Sequence, residues 1–505
     1  MPLLPYVLAA LSLAQQGRRP MPAGQAPPPK QTVAAKAETK AETAPPVVTH
    51  HTIMLDGAPL HYTATTGMLP LKNDVGVTEA YVFFVAYTRD GEDVTKRPLV
   101  FAFNGGPGAA SVFVHLGFLG PKRVVTLPNG HFPPPPYGLA DNPSTLLTDA
   151  DLVFLDPVGT GFSRPATPEL GPKFWSLDGD IQSVGEFIRM YLTRYDRWSS
   201  PLFVLGESYG TTRAAGLSLY LADNGINLNG VVLVSTILKF QGAGDMSFAL
   251  DFPTECATAW YHHKLAPSLE TSVQATVDEA IKWDKAVYEP ALMAGDTMSP
   301  AQKAAVVAGL QKYLGLRRSF IVDSNLRISM PAFQKELLRS EGKTVGRLDA
   351  RFTGLDNDNA APRPEYDPSD AAVEAPFTSA FNSYVRDKLG FRTDAVYDVM
   401  GQGVHGWQFP RGGIDVAVRL REAMAKNRYM KVFIGEGYYD MATPFYAVDY
   451  TFSHMNLDPS LRANVETHRY ESGHMIYLKV SQLQKIIGDL KTFVNSATHE
   501  APKSE

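Results

Sequence analysis

A glycine-flanked serine follows an apolar run near the middle of the chain. Gly206, Glu207, Ser208, Tyr209 and Gly210 fit the pattern G-x-S-x-G, with the apolar run PLFVL before it and a helix-compatible run after it. That context predicts a sharp strand-to-helix turn that presents the Ser208 hydroxyl above the edge of a sheet. The chemistry open to such a hydroxyl is nucleophilic attack on a carbonyl carbon. The alternative is a turn serine without a catalytic role.

A nucleophilic serine needs a base to remove its proton and an acid to orient that base. On folds with this type of turn, the chain order is serine, then Asp or Glu, then His. Asp440 lies in the loop after the predicted strand KVFIG, and His474 lies in the loop after the next predicted strand, which ends RY. Loop placement and chain order therefore favour these two residues as partners of Ser208.

Other side chains of the same stretch carry the same chemical groups. Glu436 or Asp449 could supply the acid, and His454 or His468 could supply the base. His468 lies inside a predicted strand, where a packed or surface histidine is the ordinary interpretation. The residues alone leave these alternatives open.

A second glycine cluster ends an earlier predicted strand. The sequence NGGPGAAS begins at Asn104, and consecutive glycines let backbone N–H groups approach an oxyanion without steric hindrance. We expect the N–H groups of Gly106 and Tyr209 to form the oxyanion hole, since Tyr209 is the residue after the proposed nucleophile. The alternative is a tight turn with no chemical role.

The elements that must position these residues are visible as short apolar runs. Alternation of apolar and polar residues about Asp56 and Gly57 predicts an antiparallel hairpin. Later runs stop at glycine-containing loops, which is typical of a mostly parallel, buried sheet. The runs are AYVFFVAYTRD, RPLVFAFNGG, ADLVFLDPVG, PLFVLGES, GVVLVST, MKVFIGEG and ANVETHRYESG.

Helical patterns replace the strand patterns after the first part of the sheet. One predicted helix has Ser299 as its N-cap, Pro300 at its first position and Gln302 completing a capping box. The run VSQLQKIIGDLKTFVNSA predicts an amphipathic helix close to the end of the chain. The predicted division is a first part of the core at residues 47–238, a mainly helical cap insertion at 239–395 and a second part of the core at 396–497.

Composition excludes several classes of function. The 505 residues include 47 basic and 52 acidic side chains, and the formal net charge of −5 gives no sign of binding to nucleic acid or to an anionic membrane. Beyond the N-terminus, no apolar stretch is long enough to span a bilayer. The single cysteine, Cys256, excludes an intrachain disulfide. No H-E-x-x-H or paired-cysteine motif indicates a metal, and we expect no cofactor.

The N-terminal segment has the features of an export signal. Residues 1–16 resemble a secretory signal peptide, with an apolar run from Leu3 to Ala14 but no Lys or Arg before it. Residues 17–46 are rich in Pro, Ala, Lys and Glu without apolar periodicity, and we expect a disordered linker there. Together these segments predict a periplasmic or secreted protein.

Five motifs taken together resemble one enzyme family. NGGPGAAS, LDPVGTGFS, GESYG, the Asp440 loop and GHM occur in the order and spacing of the serine carboxypeptidases, across approximately residues 50 to 495. The resemblance is to a bacterial, secreted-type member. It implies an α/β-hydrolase fold, in which helices flank a mostly parallel central sheet and a helical cap is inserted between strands.

The resemblance also implies a catalytic assignment, with Ser208, Asp440 and His474 as the triad and Gly106 with Tyr209 as the oxyanion hole. The implied reaction removes C-terminal residues from peptides or proteins through an acyl-enzyme intermediate. It needs no metal or other cofactor, and the protein would be a monomer or homodimer. The alternatives are an esterase or an acyltransferase on the same triad, or an inactive binding module that keeps the fold.

Recognition of the substrate's terminal carboxylate is implied for Asn104 and Glu207. Phe118 stands where the family has a second acid for this purpose, so the carboxylate-binding pair is incomplete here. We expect Glu207 to be buried, which favours its neutral form. One hypothesis for the missing acid is His115, which would lie one helical turn before Phe118 on the same face, so that its imidazolium could pair with the carboxylate.

Overall fold

The computed structural model describes residues 44–240, 244–401 and 406–499. The predicted signal peptide, residues 1–16, and most of the predicted linker, residues 17–46, lie outside the described residues. Within the three described ranges, no helix is both long enough and apolar enough to cross a membrane.

A ten-stranded mixed sheet forms the scaffold. In chain order the strands are β1 (Val47–Leu55), β2 (Ala58–Lys72), β3 (Thr78–Arg89), β4 (Leu99–Phe103), β5 (Lys122–Val124), β6 (Leu139–Asp141), β7 (Asp151–Leu155), β8 (Arg164–Pro165), β9 (Leu202–Glu207), β10 (Gly230–Val234), β11 (Thr344–Val345), β12 (Thr353–Gly354), β13 (Lys431–Gly437) and β14 (Val465–Tyr470). The large sheet has the order β1-β2-β3-β7-β4-β9-β10-β13-β14, and β8 pairs with β3. Two small antiparallel pairs, β5 with β6 and β11 with β12, lie outside it.

The central strands are parallel because each returns to the sheet through a crossover. The pairs from β7 through β4, β9, β10 and β13 to β14 are all parallel. Every residue of β4, β7, β9 and β10 is buried, as the continuous apolar runs predict for strands covered on both faces. The strands β1, β2 and β3 form an antiparallel extension on one side.

The predicted hairpin at the start of the sheet is confirmed. Strands β1 and β2 pair from Val47 opposite Thr66 to Leu55 opposite Ala58, so the connection is the two-residue turn Asp56–Gly57. Both turn residues have positive φ, 49° and 82°, which is the backbone of the tight hairpin turns that Asp-Gly favours.

Helices cover both faces of the sheet. They are α1 (Gly171–Phe174), α2 (Leu177–Arg194), α3 (Tyr209–Asp223), α4 (Asp245–Tyr261), α5 (Val273–Trp283), α6 (Glu289–Ala294), α7 (Pro300–Leu314), α8 (Arg318–Asp323), α9 (Met330–Glu336), α10 (Pro368–Asp387), α11 (Ala417–Lys426), α12 (Phe445–Ser453) and α13 (Val480–His499). Helices α2, α3 and α11 share one core with alternate residues of the strands, and α10 and α13 share a second core with the other residues. This three-layer arrangement confirms the predicted α/β class.

Most of the inserted helices have a core of their own. Apolar side chains of α4 to α9 form a third cluster, and Tyr438, Tyr439, Met441, Phe445 and Tyr446 from the second part of the chain belong to it. The predicted capping box of α7 is present, because the Ser299 hydroxyl accepts from Gln302 N–H and the Gln302 side chain accepts from Ser299 N–H. Among the described helices of the predicted cap, only α10 packs on the sheet instead.

Candidate active site

The turn between β9 and α3 places Ser208 in a strained conformation. Its φ of 61° and ψ of −132° lie outside the regions that L-residues normally occupy. The Ser208 N–H donates to the Val234 carbonyl at 3.0 Å, which fixes the turn against the neighbouring strand. A Cβ on Gly206 would lie 2.0 Å from the Gly210 carbonyl oxygen, so only glycine fits there. The turn leaves Ser208 partly exposed between buried neighbours.

Four adjacent parallel strands bring the other predicted residues to the same edge of the sheet. Ser208 follows β9, Asp440 follows β13 and His474 follows β14, and β10 lies between β9 and β13. Ser235, directly after β10, ties the loops together, since its hydroxyl donates to the His474 carbonyl at 2.6 Å and its N–H donates to the Gly435 carbonyl at 2.8 Å. Ligand and catalytic sites of open α/β sheets lie at such carboxyl edges.

Asp440 and His474 form a buried hydrogen-bonded pair. The Nδ1 atom of His474 lies 2.7 Å from Oδ2 of Asp440. The Asp440 carboxylate also accepts from the N–H groups of Ala442 and Thr443, at 2.8 and 3.0 Å, and from the Thr443 hydroxyl at 2.6 Å. Because Nδ1–H donates to Asp440, the Nε2 atom of neutral His474 is free to accept a proton.

Two opposing effects set the basicity of His474. Burial acts to lower its pKa, but the charge and hydrogen bond of Asp440, together with the charge of Glu207, outweigh it. The pKa of His474 is therefore raised above its usual value. A raised pKa makes the imidazole a stronger base, but it also means that His474 becomes protonated at a higher pH.

Two backbone N–H groups remain available beside Ser208. A Cβ on Gly105 would lie 2.4 Å from the Tyr209 nitrogen, so the glycine loop touches the nucleophile turn. Tyr209 is the first residue of α3, and helices leave their first N–H groups without an internal partner. Among the described residues, neither the Gly106 N–H nor the Tyr209 N–H meets an acceptor. Such a pair of donors can stabilise an oxyanion.

Asn104 and Glu207 form a polar pair under the same turn. The Asn104 amide nitrogen donates to Oε1 of Glu207 at 2.8 Å, while its carbonyl oxygen accepts from the Val114 N–H at 3.0 Å. The predicted burial of Glu207 is confirmed, since 2% of the residue is exposed. Burial raises the pKa of Glu207 to about 7, against the opposing effects of His474, Tyr477 and Asn104. The second carboxyl oxygen, Oε2, has no hydrogen-bond partner in the described part of the chain.

The alternative histidines lie away from this pair. His454 is exposed at the end of α12, where its ring meets the carbonyl of Tyr450 at 2.8 Å. His468 stacks on Phe433, with 4.7 Å between ring centroids, and faces Glu466 and Asp489. Neither histidine meets Asp440 within hydrogen-bond distance in the structure.

The alternative acids have partners of their own. Glu436 is buried and accepts from the Thr236 N–H at 3.1 Å, and burial raises its pKa well above the usual value. Asp449 forms an ion pair with Arg469. Asp440 is thus the carboxylate that holds His474.

The hypothesis that His115 replaces the missing acid is wrong. Residues Val114–Leu119 form a single turn of π-helix, and His115 is buried with its Nε2 atom 2.7 Å from the Tyr87 hydroxyl and its ring stacked on Phe154. Burial lowers the pKa of His115 to about 3, so its ring stays neutral. The sequence showed a histidine one turn from Phe118, but not the hydrophobic core towards which that turn points.

One residue beside the Asn104–Glu207 pair was not predicted from the sequence. Tyr477, three residues after His474, is fully buried and lies against Glu207 and Asn104. Its ring stacks on Phe118 with 4.9 Å between centroids and an angle of 12° between planes. In the sequence, Tyr477 is distinguished only by its closeness to His474. That closeness does not reveal its contacts with Glu207, 270 positions earlier, and with Asn104.

Comparison with known proteins points to one family. A family model described as serine carboxypeptidase matches residues 57–505. Serine carboxypeptidase-like 33 of Arabidopsis thaliana is 25% identical over 219 residues, 39% of this chain and 40% of that protein. The retinoid-inducible serine carboxypeptidase of Mus musculus is 29% identical over 148 residues, 28% of this chain and 29% of that protein. The chain thus spans two fifths or less of the length of these relatives.

A solved structure shares the fold. The prohormone-processing carboxypeptidase of Saccharomyces cerevisiae superimposes with a TM-score of 0.54 and 16% sequence identity, covering 86% of this chain and 91% of that chain. At this identity the likeness shows the fold alone. The predicted α/β-hydrolase fold is confirmed.

Proposed function

The chain belongs to the serine carboxypeptidase family, and from that premise we propose that it removes residues from the C-termini of peptides or proteins through an acyl-enzyme intermediate. The observation that carries the proposal is the buried Asn104–Glu207 pair directly beneath Ser208, with Oε2 of Glu207 lacking a partner. A buried polar pair next to a nucleophile suits a substrate that ends in a carboxylate.

In the proposed mechanism, Ser208 and His474 share the proton transfers. The Ser208 hydroxyl attacks the carbonyl carbon of the last peptide bond, and Nε2 of His474 accepts its proton. The N–H groups of Gly106 and Tyr209 stabilise the oxyanion. The tetrahedral species collapses to an ester on Ser208 as the imidazolium returns the proton to the departing amine. Water then repeats the sequence and releases the acid.

Asp440 has a supporting part in these steps. Its carboxylate fixes the His474 tautomer and stabilises the imidazolium while the proton resides there. The hydrogen bonds from Ala442 and Thr443 hold that carboxylate in place.

Glu207 binds the terminal carboxylate in its neutral form. A protonated Glu207 can donate a hydrogen bond to that carboxylate, whereas an ionised one repels it. Burial favours the protonated form by raising the pKa of Glu207 to about 7. Asn104 has an amide hydrogen left after its bond to Oε1, and it donates to the same carboxylate.

The dependence of kinetics on pH follows from these two groups. Above pH 7, KM for a free-acid peptide should rise roughly tenfold per pH unit as Glu207 ionises, whereas KM for the C-terminal amide should stay level. On the acidic side, kcat should fall for both substrates once His474 is protonated, because a protonated imidazole cannot accept the Ser208 proton. Steady-state kinetics from pH 4 to pH 9 measure both the alkaline rise in KM and the acidic fall in kcat.

The matched variant is Glu207→Gln, which keeps the shape and removes the titration. Its alkaline rise in KM should disappear. If KM of the wild type rises equally above pH 7 for the free acid and for the amide, Glu207 does not recognise the terminal carboxylate.

The proposed activity itself is tested by mass spectrometry of matched peptides with free and amidated C-termini after incubation with the protein. Stepwise release of single C-terminal residues from the free acids supports the carboxypeptidase. Phe118 in place of an acid favours a second candidate, an esterase or acyltransferase on the same triad. Turnover of esters without release of any C-terminal residue would establish that candidate instead.

We also propose export from a bacterial cell to the periplasm or the medium. The support is the apolar run from Leu3 to Ala14 and the polar, Pro/Ala-rich segment after it. Expression of the full chain with fractionation, followed by N-terminal sequencing of the product, tests this. Retention of Met1 in a cytoplasmic product is the contrary result.

A further inference from the structure

A buried tyrosine hydroxyl without a partner faces the proposed carboxylate site. The Tyr477 hydroxyl has no hydrogen-bond partner in the described part of the chain, and the same is true of Oε2 of Glu207. The two groups face one another, and Asn104 lies beside both. The Glu207 and Tyr477 groups influence one another electrostatically, but neither atom reaches the geometry of a hydrogen bond, so each keeps the capacity for a further partner.

The ring of Tyr477 cannot turn away from this position. On one side it stacks on Phe118. Gly117 packs so closely on the ring that a Cβ there would lie 2.5 Å from Cε2 of the tyrosine. The Tyr477 residue is fully buried. The hydroxyl is therefore held in a preorganised orientation, which is what a recognition site requires.

The groups around this point are complementary to an acceptor of several hydrogen bonds. Asn104 has one amide hydrogen left after its bond to Oε1 of Glu207. Neutral Glu207 has one O–H, and Tyr477 has another. Three donors converge, whereas a carboxylate offers about four lone-pair sites and no donor. An amidated C-terminus carries N–H groups of its own, and these would face the same three donors without an acceptor.

We propose that the Tyr477 hydroxyl donates a hydrogen bond to the terminal carboxylate of the substrate and so supplies the contact for which Phe118 leaves no acid. The inference rests on the proposed function, because it assumes a substrate with a free C-terminus. A phenol is a neutral donor across the working range, since burial and the adjacent Glu207 raise the pKa of Tyr477 well above its usual value. Phe118 then acts as the platform on which this donor is fixed.

The test measures binding in an inactive background. A peptide and its C-terminal amide are titrated into Ser208→Ala and into Ser208→Ala with Tyr477→Phe, by calorimetry at pH 5.5. Loss of a hydrogen bond to a charged group should weaken binding of the free acid roughly tenfold or more, while the amide changes by less than about twofold. The preference for acid over amide, measured as the ratio of the two dissociation constants, should fall accordingly.

A matched control uses another buried tyrosine. Tyr470→Phe removes a hydroxyl that donates to Asp489 at 2.8 Å, and it should leave the preference for acid over amide unchanged. Because the Tyr477 hydroxyl has no partner among the described residues, Tyr477→Phe should unfold at the same temperature as its parent.

The outcomes separate the two proposals. If the Ser208→Ala protein binds acid and amide equally, carboxylate recognition fails and the role of Tyr477 fails with it. If it prefers the acid but Tyr477→Phe leaves that preference unchanged, only the role of Tyr477 is overturned. Equal weakening of acid and amide also overturns it, because the hydroxyl would then act through the packing of the pocket.

Discussion

Ser208→Ala is expected to lower kcat by roughly a millionfold. The hydroxyl is the proposed nucleophile, and alanine has no group that can replace it. The fold should survive, because alanine keeps the Cβ and the hydroxyl has no structural hydrogen bond among the described residues. Turnover of the peptides described above measures the loss, and thermal unfolding checks the fold.

A fluorophosphonate probe gives an independent measurement of the same residue. The wild type should be labelled on Ser208, as found by peptide mapping, and Ser208→Ala should not be labelled. A folded wild-type protein that is not labelled at either acidic or neutral pH would support the inactive binding module. Labelling at a different serine would refute the assignment of the nucleophile.

His474→Ala should lower kcat by roughly ten thousandfold to a millionfold, whereas His468→Ala should leave it within about twofold. The two variants remove the same side chain from adjacent parts of the chain. His474 is buried and bonded to Asp440 at 2.7 Å, whereas His468, on β14, packs on Phe433 of β13. Kinetics with one peptide substrate compare them directly. A large loss in His468→Ala with normal His474→Ala would overturn the assignment of the base.

Much of the scaffold was predictable because its signals are local. The Asp56–Gly57 turn needs two residues with positive φ, and the capping box of α7 needs Ser299 and Gln302 three positions apart. The candidate residues for nucleophile, acid and base could also be named, because each lies in a loop directly after an apolar strand. The fold then brings those loops to one edge of the sheet.

What could not be predicted depends on contacts between distant parts of the chain. Tyr477 meets Asn104 and Glu207 only because the segment that follows β14 crosses the carboxyl edge of the sheet to reach them. His115 was assigned the wrong partner because its helical turn faces Tyr87 and Phe154, on strands that the local sequence does not identify as neighbours. Likewise, the apolar face of α10 is visible in the sequence, but the sequence does not indicate that this face packs on the sheet and not on the other inserted helices.

The third core has a consequence for how such an enzyme can diversify. Cap residues and the segment after β13 share that core, and the ring centroids of Tyr261 in α4 and Tyr439 beside the proposed acid lie 5.2 Å apart. Since packed interiors transmit strain, a change of volume inside the cap is felt at Asp440. Mutations in the inserted helices and mutations in the Asp440 loop therefore act on one mechanically connected unit. We expect that transplanting the inserted helices between relatives requires transplanting the Asp440 loop with them.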